Sequence, residues 1–222
     1  MKNLSLIIPA KYEKESLPKV LIELKKYKIT TYIILEKKDI ETVKCAKKFR
    51  VNIVYQKGKG YGNALIEGIQ RVKTKYFIIF NADGSFNPSE IKKIVKKATS
   101  TNYDMVFASR YENRNSGSED DTWITFIGNK IFTLFGKIFF GLPVSDILYT
   151  YVLCDTKKTK KLKLKSNDFR FCVELPIKAI KKNYRITSIS SYERSRIAGR
   201  KKVNAIRDGF LILTSMIKLF FY

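Results

Sequence analysis

The chain has 222 residues, 45% hydrophobic and 29% charged, which suits one globular domain with a sizeable core and excludes a disordered composition. Lysines and arginines number 44 against 20 acids, a formal charge of +24, so the expected partners are anionic: nucleic acid, phosphorylated substrates or an acidic membrane face. The absence of histidine excludes imidazole base catalysis and histidine metal ligation.

Three distant cysteines, Cys45, Cys154 and Cys172, suggest neither a disulfide framework nor a zinc site and read as thiols of a reducing cytosol. The N-terminal apolar run is too short for a signal peptide, and none reaches the about 18 residues of a spanning helix. No zinc-finger spacing, basic zipper or ribonucleoprotein motif accompanies the charge, so nucleic acid is not the expected partner.

In chain order, 4–10 is an apolar, branched run ended by proline and predicts a buried strand. A helix follows at 16–27, with Leu17, Val20, Leu21 and Leu24 on one face. Strands are predicted at 31–36, 51–55, 75–81 and 103–109, and helices at 39–49, 60–72 and 88–98, the last with Pro88 in its first turn. Alternation over about a hundred residues implies an α/β fold: an open, mostly parallel sheet with helices on both faces. Ligands in such sheets sit beyond the carboxyl ends of the strands.

After Arg110 the polar stretch 111–122 reads as a loop. The segment 123–143 is strongly apolar. Lys130, Thr133 and Lys137 mark a narrow polar stripe, and Ile127, Ile131, Leu134, Phe135 and Ile138 a wide apolar face. Such a helix is either deeply packed or lies in a membrane interface. The basic run 157–165 reads as a solvated face. Residues 169–182 look helical, with Pro176 expected to kink or end the helix, and 184–193 looks like a strand. A terminal amphipathic helix carries Ile206, Phe210, Leu213, Ile217 and Phe220.

Residues 80–86, FNADGSF, raise the chemical question. A buried strand ends in an amide and an acid two residues apart, beside a glycine. One reading is an ordinary turn. The other is a metal and phosphate site, because hard oxygen donors suit Mg²⁺ or Mn²⁺. The glycines of GKGYGNAL allow close backbone approach, but the stretch is not a Walker loop. Asp39 reads as a cap of the helix that follows it.

LSLIIPAKYEKESLP at 4–18, GKGYGNALIEGI at 58–69, FNADGSF, SRY at 109–111 and YERSRIAGRKKVNAIRDGF at 192–210 stand in a fixed order. In that order the chain resembles, over nearly its whole length, the family 2 glycosyltransferases of the GT-A fold, and among them the dolichyl- or polyprenyl-phosphate sugar synthases. The resemblance implies one GT-A domain over 1–222, with a nucleotide-sugar half at 1–110 and an acceptor half at 111–222. It places Pro9, Ala10 and Glu13 around the nucleoside, with Tyr12 where asparagine is usual. Glu36 lies near the base or ribose, and Lys59 helps hold the donor. Asn81, Ala82 and Asp83 form the metal motif, with Asn81 where a first aspartate is usual. Asp83 is then the main ligand of Mg²⁺ or Mn²⁺, helped by Ser85.

The resemblance also sets Arg110 near the donor or acceptor phosphate. Arg196 and Lys202, joined by Arg200, close over the diphosphate and stabilise the departing nucleotide. Asp146 matches an aspartate before a turn whose usual glycine is missing here. Glu174 stands where relatives that glycosylate hydroxyls carry a general base. The implied reaction is inverting transfer from a UDP- or GDP-sugar to a polyprenyl phosphate at the cytoplasmic membrane face. Two alternatives stand beside it: transfer to a hydroxyl of a cell-surface glycan, and a catalytically lapsed protein that binds nucleotides or polyanions.

Overall fold

The computed structural model describes residues 3–199 and 204–221. Strands and helices alternate first: β1 (Leu4–Ala10), α1 (Leu17–Lys25), β2 (Thr30–Leu35), α2 (Ile40–Ala46), β3 (Asn52–Tyr55), α3 (Tyr61–Arg71), β4 (Tyr76–Ile79), α4 (Glu90–Ser100) and β5 (Met105–Ser109). Then come β6 (Gly117–Ser118), α5 (Trp123–Phe140), β7 (Val152–Asp155), α6 (Thr156–Lys161), α7 (Phe171–Lys181), β8 (Ile186–Ser190), β9 (Tyr192–Glu193) and α8 (Ala205–Phe221).

The main sheet has the order β3-β2-β1-β4-β7-β5-β8. It is parallel, as the alternating pattern predicts, except at β7, which runs antiparallel between β4 and β5. No strand is expected from the sequence at 152–155. Four residues after an irregular loop carry no period, and only the slot between two long-range neighbours defines them as a strand. The segment 184–193 divides. β8 extends the main sheet beside β5, whereas β9 pairs with β6 in a separate two-stranded ribbon.

Successive residues of β1 supply both faces of the sheet. Leu4, Leu6 and Ile8 pack into a cluster with Val20 and Leu24 of α1 and Ile91 and Ile94 of α4. Ile7 faces the opposite cluster, with Leu65 and Ile69 of α3, Val173 of α7 and Met216 of α8. Burial on both faces explains why these strands read as continuous apolar runs. Asp39 caps α2 by accepting from Thr42 N, as its sequence position suggests. Pro176 lies within α7 and does not end it. The basic run folds partly as α6, with Thr156, Thr159 and Leu162 buried and Lys160 Nζ donating to the Val72 carbonyl at 2.9 Å.

α5 is oriented against the usual rule. Its buried residues are Asn129, Thr133 and Gly136. Ile124, Ile127, Ile131, Leu134 and Ile138 are all exposed, whereas Phe135, placed on the same face by its spacing, is half-buried against the core. Thr133, placed with the lysines by its spacing, is instead buried and accepts from Ile147 N at 3.2 Å. α8 packs beside α5 with the same bias: Ile212 and Met216 are buried, while Ile206, Phe210 and Phe220 face outward.

Candidate functional site

β4 delivers Phe80 to the sheet's carboxyl edge, where the chain turns through Asn81, Ala82, Asp83, Gly84 and Ser85. The turn is built around Asp83. Its Oδ1 accepts from Ser85 N at 3.0 Å and from Ser85 Oγ at 2.8 Å. Gly84 has φ +86°, a backbone state that side chains rarely adopt, and a Cβ there would lie 2.4 Å from Ile197 Cδ1. The turn rests on aromatic rings: Phe86 stacks on Tyr151 at 4.7 Å and meets Phe80 edge-on at 5.7 Å.

The turn lines a cavity of about 440 Å³ at the ends of β1, β2 and β4. That volume falls in the range of small-molecule sites, and the place is where parallel sheets bind ligands. Pro9, Ala10, Glu13, Glu36, Asn81, Ala82, Asp83, Ser85, Arg110 and Arg196 all line it, so most of the expected site residues converge. Its charge is opposite to that of the chain. Among the described residues the lining holds six carboxylates, Glu13, Glu36, Asp83, Asp120, Asp121 and Glu193, and three cations, Lys11, Arg110 and Arg196.

Each charge has an assigned neighbour. Glu36 is bridged by Lys38 and Lys11, each at 3.0 Å, and the two ammonium groups hold its carboxyl below the ordinary value. Glu13 accepts from Ser16 Oγ at 2.6 Å at the start of α1. Arg110 is the centre of a buried knot. Nε donates to Asp146 Oδ2 at 2.7 Å, Nη2 to Asp146 Oδ1 at 3.1 Å, and Nη1 to Glu193 Oε2 at 3.1 Å. Tyr149 offers its ring face 4.7 Å from the guanidinium. Burial opposes the Arg110 charge, but Asp146 and Glu193 more than offset it and raise the pKa well above the ordinary value. Asp146, fully buried, also accepts from Asn129 Nδ2. Glu193 is pushed above its ordinary value by burial, against the pull of Arg110 and Ser118.

Residues 192–197 lie across the metal-like turn as a strap. Arg194 N donates to Ser85 O and Ile197 N to Asp83 O, both at 2.8 Å. Arg194 Nη2 donates to Gly84 O at 2.8 Å and Phe86 O at 3.0 Å. The loop 111–122 clamps the strap from the other side. Glu119 Oε2 accepts from Ser195 N at 3.0 Å, and Asp120 grips Arg196 with contacts of 2.7 and 3.2 Å. Arg196 Nη1 is 3.9 Å from Asp83 Oδ2.

Two expected residues are not brought to this cavity. Lys59 is exposed and is not among the lining residues. Glu174 is buried behind it: its carboxylate accepts from Ser166 N at 2.7 Å and Lys165 N at 2.9 Å, and Lys178 Nζ lies at 2.5 Å. It therefore pins the loop 165–168. Gly60 and Gly62 of GKGYGNAL serve that same loop, since a Cβ on Gly60 would lie 2.3 Å from Asn167 O and one on Gly62 2.1 Å from Ser166 O, whereas Gly58 approaches the Asn63 side chain. Arg200 and Lys202 lie outside the described residues. Lys11, Asp120, Asp121, Asn129 and Arg194 were missed. Only the run of acids in EDD at 119–121 offered a signal, and it read as loop polarity.

Asn81, Asp83 and Ser85 form a hard-oxygen set that suits Mg²⁺ or Mn²⁺. Among the described residues no group of three or more carboxylate or thiol ligands converges. The chain would thus supply at most half of the ion's ligands, and diphosphate oxygens and water the remainder, which is the usual way Mg²⁺ is shared with a phosphorylated ligand. The set fits such a shared ion.

A family model described as glycosyl transferase family 2 matches residues 5–162. The low-salt glycan biosynthesis hexosyltransferase Agl6 of Haloferax volcanii is 30% identical over 94 residues, 42% of this chain and 23% of that protein. An uncharacterized glycosyltransferase of Mycobacterium tuberculosis is 24% identical over 211 residues, 94% of this chain and 93% of its own. The chain spans 47% and 50% of the lengths of two matching Methanocaldococcus jannaschii proteins. Among solved structures, glucosyl-3-phosphoglycerate synthase from Mycobacterium tuberculosis with Mn²⁺, UDP and glucosyl-3-phosphoglycerate superposes with a TM-score of 0.72 at 12% identity, covering 98% of this chain and 79% of that one. Mannosyl-3-phosphoglycerate synthase from Rubrobacter xylanophilus gives 0.71 at 10% identity, covering 98% and 72%. The fold is thus that of the GT-A enzymes, and the family model covers most of the sheet that carries the cavity. The chain belongs to glycosyl transferase family 2.

Proposed function

We propose that the protein transfers a sugar, with inversion, from a nucleoside diphosphate sugar to a polyprenyl phosphate presented at a membrane surface. The observation that carries the donor half is the Asp83 turn, facing a cavity at the sheet's carboxyl edge beneath an arginine-bearing strap. Residues 1–110 supply the nucleoside side of that cavity and 111–222 the acceptor side. Pro9, Ala10, Glu13 and Glu36 surround the nucleoside. Asp83, with Asn81 and Ser85, takes the divalent cation, which neutralises the diphosphate when bound. Arg196, joined by Arg200 and Lys202, stabilises charge on the leaving nucleotide. The acceptor oxygen attacks the anomeric carbon, the bond from that carbon to the diphosphate breaks, and the nucleoside diphosphate departs. An ionised phosphate acceptor needs no base, which accords with the removal of Glu174 from the cavity wall.

The acceptor half rests on α5. One side of this helix offers Thr125 and Asn129 to the cavity, and the other shows Ile127, Ile131, Leu134 and Ile138 to solvent. With the outward residues of α8 and the exposed Lys130, Lys137 and Lys218, this forms an apolar, cationic platform suited to an anionic bilayer. No helix among the described residues is long and apolar enough to cross a membrane. Transfer to a glycan hydroxyl is the second reading, favoured by Asp121 and Glu193 in the cavity. Its base would come from these acids, not from Glu174.

The test has two arms. Nucleotide sugars with UDP and GDP are screened with Mn²⁺ for thermal stabilisation, then for transfer to polyprenyl phosphate. Flotation with anionic liposomes checks the platform. Failure of every donor to stabilise the protein would overturn the enzymatic reading; transfer only to hydroxyls would select the second.

A further inference from the structure

Arg196 stands between two carboxylates of the cavity and touches only one closely. Its Nε and Nη2 sit on Asp120 at 3.2 and 2.7 Å, while its Nη1 stops 3.9 Å from Asp83 Oδ2. Asp83 has already committed Oδ1 to Ser85, so Oδ2 is the oxygen left toward the cavity. The arginine cannot retreat far, because the next residue's amide, Ile197 N, is bonded to the Asp83 carbonyl. A guanidinium with its backbone tied beside a carboxylate will close on it unless something else holds the side chain, and an arginine in contact with that oxygen competes directly with a cation.

We infer that Asp120 is a positioning residue: its two-point grip holds Arg196 off Asp83 and keeps Oδ2 available to a divalent cation. When a metal-bound diphosphate arrives, Arg196 exchanges Asp120 for phosphate oxygens across a short distance. The same contact thus protects the metal-binding oxygen and stores the cation that the leaving group needs. This inference rests on the reading of Asp83 as a metal ligand.

The experiment measures Mn²⁺ affinity by electron paramagnetic resonance of the free ion, at saturating UDP and in parallel GDP, with a thermal melt of each variant. Asp120→Asn should weaken Mn²⁺ binding by about five- to tenfold, the scale of one partly exposed ion pair. Asp121→Asn removes equal charge from the same cavity without touching Arg196 and should weaken it less. Asp120→Glu should bind like the wild type. The double variant Asp120→Asn, Arg196→Gln should bind Mn²⁺ more tightly than Asp120→Asn alone, because no arginine remains to close on Asp83, yet less tightly than the wild type, because the Arg196 contact to the diphosphate is lost; a structural role for Asp120 would give no recovery. Equal affinity in Asp120→Asn and wild type, or an equal deficit in the single and double variants, overturns the inference alone. Absence of Mn²⁺ uptake by the wild type with either nucleotide overturns the metal site and the inference together.

Discussion

Asp83 joins three duties in one side chain. It closes its own turn through Ser85, receives the strap through its carbonyl, and points its second oxygen toward Arg196. Replacement by alanine should abolish the Mn²⁺-dependent rise in melting temperature produced by nucleotide sugars, a rise that follows from ligand binding to the folded state. Glu174 makes the contrasting case. Glu174→Gln removes the charge that holds Lys178 and two backbone amides, and should cost about 1–3 kcal/mol of stability. Transfer per folded molecule should persist. Burial raises the Glu174 pKa, but Lys178 and the amides of Ser166 and Lys165 outweigh it and hold it below the ordinary glutamate value. Its stabilising effect is therefore complete above that value and fades as pH falls through the lower folded value. Denaturant titrations should show the gap between wild type and variant closing in acid. Tyr12 is a third instructive residue, with φ +54°. Asparagine tolerates that conformation better than tyrosine, by roughly 1 kcal/mol, so Tyr12→Asn should raise the melting temperature by about 2–4 °C.

At the level of elements, α5 decides how the molecule meets its surroundings. The sequence pattern left two choices for 123–143, deep packing or an interface, because an apolar stripe does not say which way it faces. Packing resolved it: Asn129 is drawn inward by the buried Asp146, and Thr133 by Asn129 Oδ1 and the Ile147 amide. Ile127, Ile131, Leu134 and Ile138 are left outward, while Phe135 turns toward the core. Ile127→Glu with Ile131→Glu should abolish liposome flotation while leaving the melting temperature and nucleotide binding close to wild type. Unchanged flotation would rule out this face as the membrane contact. The strap illustrates the same dependence. Its Arg196 was legible from the resemblance, but its clamp by Glu119 and Asp120 joins segments 76 residues apart and has no local signature.

For the whole molecule, overall charge and site charge point in opposite directions. A surface of +24 attracts anions at a distance, yet the described cavity wall is rich in acids. On the proposed function, capture of a diphosphate would then depend on a divalent ion as well as on the field. Adding EDTA should weaken UDP or GDP binding at least tenfold by calorimetry. Binding that ignores EDTA and falls only with salt would indicate surface electrostatics instead. The sheet order is also a property of the whole. β7 enters between β4 and β5 and supports Tyr151 beneath the metal-like turn, although its own four residues announce nothing.

The amino-acid sequence alone determined the alternating α/β architecture, because the central strands are buried on both faces and each helix carries its own period. It also determined the motif residues that the ends of β1, β2 and β4 carry into one cavity. Only the tertiary structure decided that Glu174, Gly60 and Gly62 serve the loop 165–168, that Ile127, Ile131, Leu134 and Ile138 of α5 point outward, and that Asp120 holds Arg196. Those outcomes turn on contacts between distant segments, and a residue's type and spacing do not specify which partner it will meet.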